Sequence, residues 1–245
     1  MHFNNKLIIA SDYGDMSKKA ADILEKEIRN KPTSVIGLAT GGTPEGLYSE
    51  LIDRHKGLGL NFSQISAFNL DEYHPIGKDD PQSYYYFMNE KLFSHININP
   101  QNTYIPDGAA KNPEQECGEY DDKIMSAGGI DFQVLGIGAN GHIGFNEPSE
   151  SFSTLTSYIK LTKETINANA RFFASPDMVP SHALTMGIRA IMMAKKIMLL
   201  ASGASKASIM KDAFLGPVTP RVPASILQLH PNVIVVADKA AASHL

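Results

Sequence analysis

The chain has 245 residues, of which 43% are hydrophobic and 20% are charged, and its net charge is −4. This composition is typical of a soluble globular protein with material for one large α/β domain or two small ones. The mild net charge argues against nucleic acid as the main partner. No apolar stretch approaches the ~20 residues that a membrane helix requires. The short apolar run near the start does not have the pattern of a signal peptide.

The sequence contains a single cysteine, Cys117, within a polar and predominantly acidic stretch. One cysteine excludes an intramolecular disulfide, which agrees with a reducing compartment. We therefore expect a cytoplasmic protein with no membrane or nucleic-acid partner.

Strand and helix patterns alternate along the chain. Short apolar runs predict strands over residues 6–10, 34–38, 65–69, 132–135, 196–200 and 233–237. Amphipathic patterns predict helices over residues 16–31, 44–56, 83–93, 113–126, 163–173, 181–193 and 205–214. This alternation predicts an α/β fold with a doubly wound, mostly parallel sheet and helices on both faces, a Rossmann-like arrangement. Because no repeat or linker divides the chain, we predict a single domain over residues 1–245.

The most informative stretch is 135–148, which reads LGIGANGHIGFNEP. An apolar run followed by four glycines is typical of a loop at the carboxyl end of a buried parallel strand, where open α/β sheets bind ligands. The loop carries Asn140, His142 and Glu147. A nearby carboxylate can fix the tautomer of an imidazole and leave its other nitrogen free to move a proton. The alternative is a glycine turn whose histidine caps backbone groups; three polar groups among four glycines favour proton transfer.

Residues 40–44 read TGGTP directly after the predicted strand 34–38. Thr43 followed by proline predicts a helix start with Thr43 as its cap. The glycines Gly41 and Gly42 allow backbone N–H groups to converge at this helix amino terminus, which favours binding of a phosphate. Neither the nucleoside-triphosphate P-loop pattern nor the dinucleotide fingerprint is present here. A plain turn between strand and helix is the alternative.

Asp71 lies in the stretch NLDEY, residues 69–73, which follows the predicted strand 65–69. In a parallel sheet it lies at the same edge as the two glycine loops, where a carboxylate shielded from water can act as a general base. The alternative is that Asp71 caps the next turn, as an aspartate after a strand often does.

Two cations are candidates for completing an anion site. Arg171 lies near the end of the predicted helix 163–173, and Lys206 lies in the first turn of the predicted helix 205–214. A lysine there opposes the helix dipole unless an anion is bound nearby. Solvated surface charges are the alternative for both. No histidine, cysteine or carboxylate cluster has metal-ligand spacing, so we expect no metal.

With these motifs in this order, the chain resembles the glucosamine-6-phosphate deaminase (isomerase) family. The resemblance is carried by TGGTP at 40–44, NLDEY at 69–73, GANGHIGFNEP at 138–148, NARFF at 169–173, SKA at 205–207 and LQLHP at 227–231. The 6-phosphogluconolactonases are similar in fold and in the phosphate turn, but their histidine loop lacks the FNEP ending.

The resemblance implies conversion of glucosamine 6-phosphate and water into fructose 6-phosphate and ammonia, with no cofactor. It implies that His142 moves the ring-opening proton while Glu147 and Asn140 orient the imidazole. Asp71 would carry the proton from C2 to C1. The phosphate would be bound by Gly41, Gly42, Thr43, Arg171 and Lys206. The partner would be a small sugar phosphate, and the protein a monomer or a small homo-oligomer.

Two departures from the family pattern qualify these expectations. Asn140 stands where many members have an aspartate, so Glu147 is expected to supply more of the charge that supports the imidazole. Ser157 and Ile159 stand where allosteric hexameric members carry basic residues, which predicts a non-allosteric enzyme. We also expect residues 149–173 to form a lid.

Three alternatives remain open at this stage. Galactosamine 6-phosphate is an alternative substrate, because the C4 stereocentre is read by side chains that one sequence does not identify. Lactone hydrolysis would use His142 to activate water and would not require Asp71. A sugar-phosphate sensor is less favoured, because both proton-transfer loops are present and no basic helix-turn-helix precedes residue 34.

Overall fold

The computed structural model describes residues 6–173 and 175–245. Ten strands form within these residues: β1 (Lys6–Ala10), β2 (Val35–Leu38), β3 (Ser66–Asn69), β4 (Asp71–His74), β5 (Thr103–Tyr104), β6 (Phe132–Leu135), β7 (Ser157–Lys160), β8 (His182–Thr185), β9 (Lys196–Ala201) and β10 (Val233–Asp238). The same residues form the helices α1 (Tyr13–Asn30), α2 (Gly42–Leu58), α3 (Tyr84–Lys91), α4 (Pro113–Ser126), α5 (Lys163–Asn169), α6 (Ile188–Met192) and α7 (Ala207–Leu215).

Seven strands form one central sheet in the order β1-β10-β9-β6-β2-β3-β5. Every neighbouring pair in it is parallel. The two faces of the sheet have separate cores, because residues alternate along each strand. In β2, Val35 packs into one core and Ile36 into the other; in β9, Leu199 and Met198 divide in the same way. The predicted doubly wound, mostly parallel α/β sheet is confirmed.

The strand order brings the four sequence motifs to one edge. The strands β9, β6, β2 and β3 are adjacent in that order. Each strand is followed, at its carboxyl end, by one of the candidate site residues or motifs. In the same order these are Lys206, the histidine loop 138–148, the TGGTP motif at 40–44 and Asp71. Parallel strands place their carboxyl ends at the same edge of a sheet, so these stretches share one rim, as open α/β proteins arrange their ligand sites.

A second, smaller sheet was not predicted. It consists of three antiparallel strands in the order β4-β8-β7. The predicted helix over 181–193 is therefore wrong in its first half, where β8 forms, and only α6 in its second half is helical. As the central strand, β8 buries Ala183 and Leu184 completely, which gives the same continuous apolar pattern as a buried helix.

Two other predicted helices are shorter than expected. The helical pattern over 163–173 becomes α5 followed by a 3₁₀ turn over Ala170–Phe172. The pattern over 205–214 becomes a 3₁₀ turn over Ala204–Lys206 followed by α7. Among the described residues, no helix has the length and apolar character needed to cross a bilayer.

Candidate active site

The anion cradle is formed by the start of α2. Gly41 is the residue that caps this helix, with φ of 91°, and the helix begins at Gly42. The prediction that Thr43 is the cap is therefore wrong: Thr43 lies inside the first turn. The left-handed backbone at Gly41 favours glycine, because a Cβ there would be strained. Since no described side chain caps this helix end, its first N–H groups are open to an anion.

Asp71 begins β4 and is almost completely buried, with 6% of its surface exposed. Among the described residues, no group donates a hydrogen bond to its carboxylate, so it caps no turn. Burial, and secondarily the charge of Glu72, raise the pKa of Asp71 to about 8. A buried carboxylate without hydrogen-bond donors is a strong base once it is ionised.

Glu72, its neighbour, has a different environment. Its carboxylate accepts hydrogen bonds of 2.9 Å from the backbone N–H groups of Tyr84 and Tyr85, in the first turn of α3. It also accepts a bond from the N–H of Tyr73. Burial raises the pKa of Glu72 to about 7, and these bonds oppose the shift. Glu72 therefore caps a helix, and Asp71 is the carboxylate that remains available for chemistry.

His142 packs against the backbone of its own loop. A Cβ added at Gly138 would lie 2.2 Å from the His142 ring, so only glycine leaves room for the imidazole there. The N–H of Gly138 donates to the His142 carbonyl at 2.9 Å. The side chain keeps 22% of its surface exposed, which leaves it accessible from the rim.

The imidazole is supported by the two polar residues that the sequence placed beside it. His142 Nδ1 lies 3.6 Å from Glu147 Oε2, and that oxygen accepts a hydrogen bond of 2.8 Å from Asn140 Nδ2. Asn140 Oδ1 accepts the backbone N–H of His142 at 3.2 Å. Burial raises the pKa of Glu147, but the imidazole and the hydroxyl and amide donors outweigh it and lower the pKa below its ordinary value. The carboxylate is thus held ionised next to the ring.

The histidine loop runs directly past Asp71. At Gly144, where φ is 58°, an added Cβ would lie 3.0 Å from Thr185 Oγ1 and 3.5 Å from Asp71 Oδ2. The backbone N–H of the next residue, Phe145, donates to Thr185 Oγ1 at 2.9 Å. The loop that carries His142 and the strand that carries Asp71 therefore form one site.

Lys206, one of the two predicted cations, contacts the segment that leads into the histidine loop. Its Nζ donates to the carbonyl oxygen of Ile137 at 2.7 Å. Burial lowers the pKa of Lys206, and the positive charge of Arg171 lowers it further. Arg171 lies in the 3₁₀ turn Ala170–Phe172 and is exposed. Two cations that repel one another favour an anion between them.

Two tyrosines pack together beside the site. The rings of Tyr73 and Tyr84 have centroids 4.8 Å apart. Sequence reasoning missed both tyrosines and also Thr185. Their roles depend on strand pairing and helix docking, which no local pattern signals.

Among residues 6–173 and 175–245, no three His, Cys, Asp or Glu side chains lie close enough together to hold a metal ion.

The rim therefore combines a buried carboxylate, an imidazole–carboxylate pair, a helix start with open N–H groups and a half-buried lysine. Such groups are typical of an enzyme that transfers protons on an anionic substrate. The chain belongs to the family of glucosamine-6-phosphate isomerases and 6-phosphogluconolactonases, whose family model matches residues 13–235.

Similar proteins cover almost the whole chain. A glucosamine-6-phosphate deaminase of Thermoanaerobacter pseudethanolicus is 54% identical over 238 residues, which are 97% of this chain and 94% of that protein. A glucosamine-6-phosphate deaminase of Clostridium botulinum is 51% identical over 240 residues, 98% of each chain.

Solved structures of similar fold also cover almost the whole chain. A monomeric glucosamine-6-phosphate deaminase superposes with a TM-score of 0.96 at 46% identity, covering 98% of this chain and 100% of the other. A 6-phosphogluconolactonase from Trypanosoma cruzi superposes with a TM-score of 0.79 at 22% identity, covering 100% of this chain and 98% of the other. At that identity, the second match shows the fold alone.

Proposed function

We propose that this protein converts glucosamine 6-phosphate and water into fructose 6-phosphate and ammonia. The observation that carries the proposal is the position of Asp71: a buried carboxylate without hydrogen-bond donors, next to the loop of His142. Two deaminases that share 54% and 51% of their residues with this chain support the same reaction.

The first step is opening of the sugar ring. The imidazole of His142 takes the proton of the anomeric hydroxyl and delivers it to the ring oxygen, which breaks the bond between C1 and that oxygen. Glu147 stabilises the imidazolium formed in between, since its carboxylate lies on the Nδ1 side of the ring. Asn140 contributes a hydrogen bond to Glu147 but no charge.

The second step is proton transfer from C2 to C1. Asp71 removes the C2 proton from the open-chain aldehyde, and the electron pair of that C–H bond forms the C1–C2 double bond of an enolamine, while O1 gains the proton that the ammonium group loses. The substrate's ammonium group favours the ionised form of Asp71, which is required for this step. Asp71 then returns a proton to C1, and water hydrolyses the resulting imine at C2 to the ketone and ammonia.

The phosphate of the substrate anchors the sugar between these two groups. We assign its binding to the helix start at Gly41, Gly42 and Thr43 and to the cations Arg171 and Lys206. Open N–H groups at the start of α2 and the mutual repulsion of the cations support this assignment. Binding of the remote phosphate contributes to the rate by fixing the geometry at C1 and C2.

A substrate panel tests the proposal. Purified protein is assayed for ammonia with glucosamine 6-phosphate and galactosamine 6-phosphate, and for acid release with 6-phosphogluconolactone. We expect ammonia from glucosamine 6-phosphate at the highest rate. Faster release from the galacto epimer would reassign the substrate, and lactone hydrolysis without ammonia would reassign the reaction.

The proposal also covers assembly, regulation and setting. We infer a monomer, because a 46% identical deaminase of known structure is monomeric. We infer a cytoplasmic enzyme in which residues 1–245 form one domain.

The uncharged side chains of Ser157 and Ile159 on β7 favour a non-allosteric enzyme. Light scattering of the purified protein, and rate curves with and without N-acetylglucosamine 6-phosphate, test these points. A sigmoidal curve that the effector makes hyperbolic would contradict the last of them.

A further inference from the structure

Glu147 is held from two sides. Its Oε2 faces His142 and Asn140, while its Oε1 accepts a hydrogen bond from the Thr165 hydroxyl. The Thr162 hydroxyl lies 3.4 Å from the same Oε1. Thr165 is 3% exposed, so its hydroxyl has no access to bulk water as an alternative partner.

The first turn of α5 is what holds Oε1. Thr162 caps this helix, and its Oγ1 accepts the backbone N–H of Thr165 at 3.2 Å. The Thr165 side chain is therefore not needed to cap the helix and is free to bond the carboxylate. From this turn the chain continues to Arg171, whose positive charge adds to the effect of burial in lowering the pKa of Lys206.

We propose that Thr165 is a positioning residue, through which the segment 162–173 orients Glu147 toward the imidazole of His142. This inference rests on the proposed function. The terminal torsion of a glutamate has a broad, two-fold preference, so an unheld carboxylate rotates easily. With Oε1 bonded to Thr165, Oε2 stays directed at His142 Nδ1. That orientation favours the tautomer with its proton on Nδ1 and leaves Nε2 as the nitrogen that accepts the substrate proton.

Two substitutions separate this role from a merely structural one. Thr165→Val has nearly the same shape and keeps the backbone bond to Thr162, but it removes the hydroxyl. Thr165→Ser keeps the hydroxyl. Thr154→Val, at an exposed threonine outside α5, is the matched control. Should Thr165→Val fail to fold, Thr165→Ala removes the same hydroxyl and carries the same expectations.

We expect Thr165→Val to lower kcat about tenfold, as loss of one hydrogen bond to a charged group allows, with a change in KM below about threefold. Loss of a donor also raises the pKa of Glu147, so the acid limb of the kcat profile moves to higher pH. Thr165→Ser restores both, and Thr154→Val matches the wild type. Equal losses in the valine and serine variants, or no loss in either, would overturn the inference.

A measurement without turnover separates this inference from the proposed function. Long-range ¹H–¹⁵N NMR spectra report the tautomer of His142, with His142→Gln used to assign the signal. We expect the Nδ1–H tautomer in the wild type and in Thr165→Ser, and a shift toward Nε2–H in Thr165→Val. The same tautomer in all three would overturn the inference even in an active enzyme. A wild type that releases no ammonia would instead remove the proposed function.

Discussion

Asp71 and Thr185 lie directly opposite each other in the antiparallel register of β4 and β8. Paired residues of a ladder project from the same face of a sheet, so the Thr185 hydroxyl lies beside the carboxylate. That hydroxyl also accepts the backbone N–H of Phe145, in the loop that carries His142. One cross-strand pair therefore connects the strand that carries Asp71 to the loop that carries His142.

Thr185→Val tests this anchoring role. Valine fits a buried strand position, but it leaves the buried N–H of Phe145 without an acceptor, which costs about 1–3 kcal/mol. We expect the free energy of unfolding, measured by urea denaturation, to fall by that amount. We expect the activity to fall by a larger fraction. Thr185→Ser keeps the acceptor and serves as the control. A valine variant as stable as the wild type would contradict the anchoring role.

Asp71→Asn tests the buried carboxylate through stability. The pKa of Asp71 is raised from 3.8 to about 8 in the folded protein. Between these values the unfolded chain loses the proton and the folded protein keeps it, so this group lowers stability as pH rises from about 4 to about 8. An asparagine side chain does not ionise in this pH range, so the Asp71→Asn variant does not lose stability in this way. We expect the variant to gain at least about 1 kcal/mol relative to the wild type between pH 5 and pH 8, or about 2–4 °C in Tm. A difference in Tm that does not change with pH would refute the shift.

His142→Gln tests the assignment of ring opening. Glutamine keeps polar character but cannot act as an acid or base, so turnover of the cyclic substrate falls. An analogue without the C4 and C5 hydroxyls cannot close a five- or six-membered ring, and its turnover is expected to fall much less. Steady-state rates with the two substrates make the comparison. Equal losses would show that His142 acts in a later step.

Lys206→Ala tests the anion site. A hydrogen bond to a charged partner contributes about 1.5–3 kcal/mol, so we expect KM to rise about 10- to 100-fold with a smaller change in kcat. Lys211→Ala, at an exposed lysine on α7, the helix that follows Lys206, is the control. An unchanged KM in Lys206→Ala would remove this residue from the phosphate site.

Local patterns were enough to predict most of the parallel sheet. Runs such as the ones that became β1 and β6 are short, apolar and bounded by polar residues, and β1 and β6 have the predicted bounds. Asp71, His142 and Lys206 could be singled out because each follows a predicted strand, and parallel strands place their carboxyl ends together.

The errors arose where long-range contacts determine the structure. The stretch 182–185 has a helical pattern, but pairing with β4 and β7 makes it a strand. The cap at Gly41 depends on a left-handed backbone conformation that the more usual Thr-Pro signal obscured. Thr165 and Thr185 could not be found from sequence, because their partners Glu147 and Phe145 are 18 and 40 residues away along the chain.

The most direct test of the central claim is ammonia release from glucosamine 6-phosphate by the wild type and by Asp71→Asn, both shown to be folded by their thermal transitions. The claim predicts one ammonia per fructose 6-phosphate from the wild type and a loss of at least about a hundredfold in the variant, the scale of general-base catalysis. A folded Asp71→Asn variant that deaminates at the wild-type rate would contradict it.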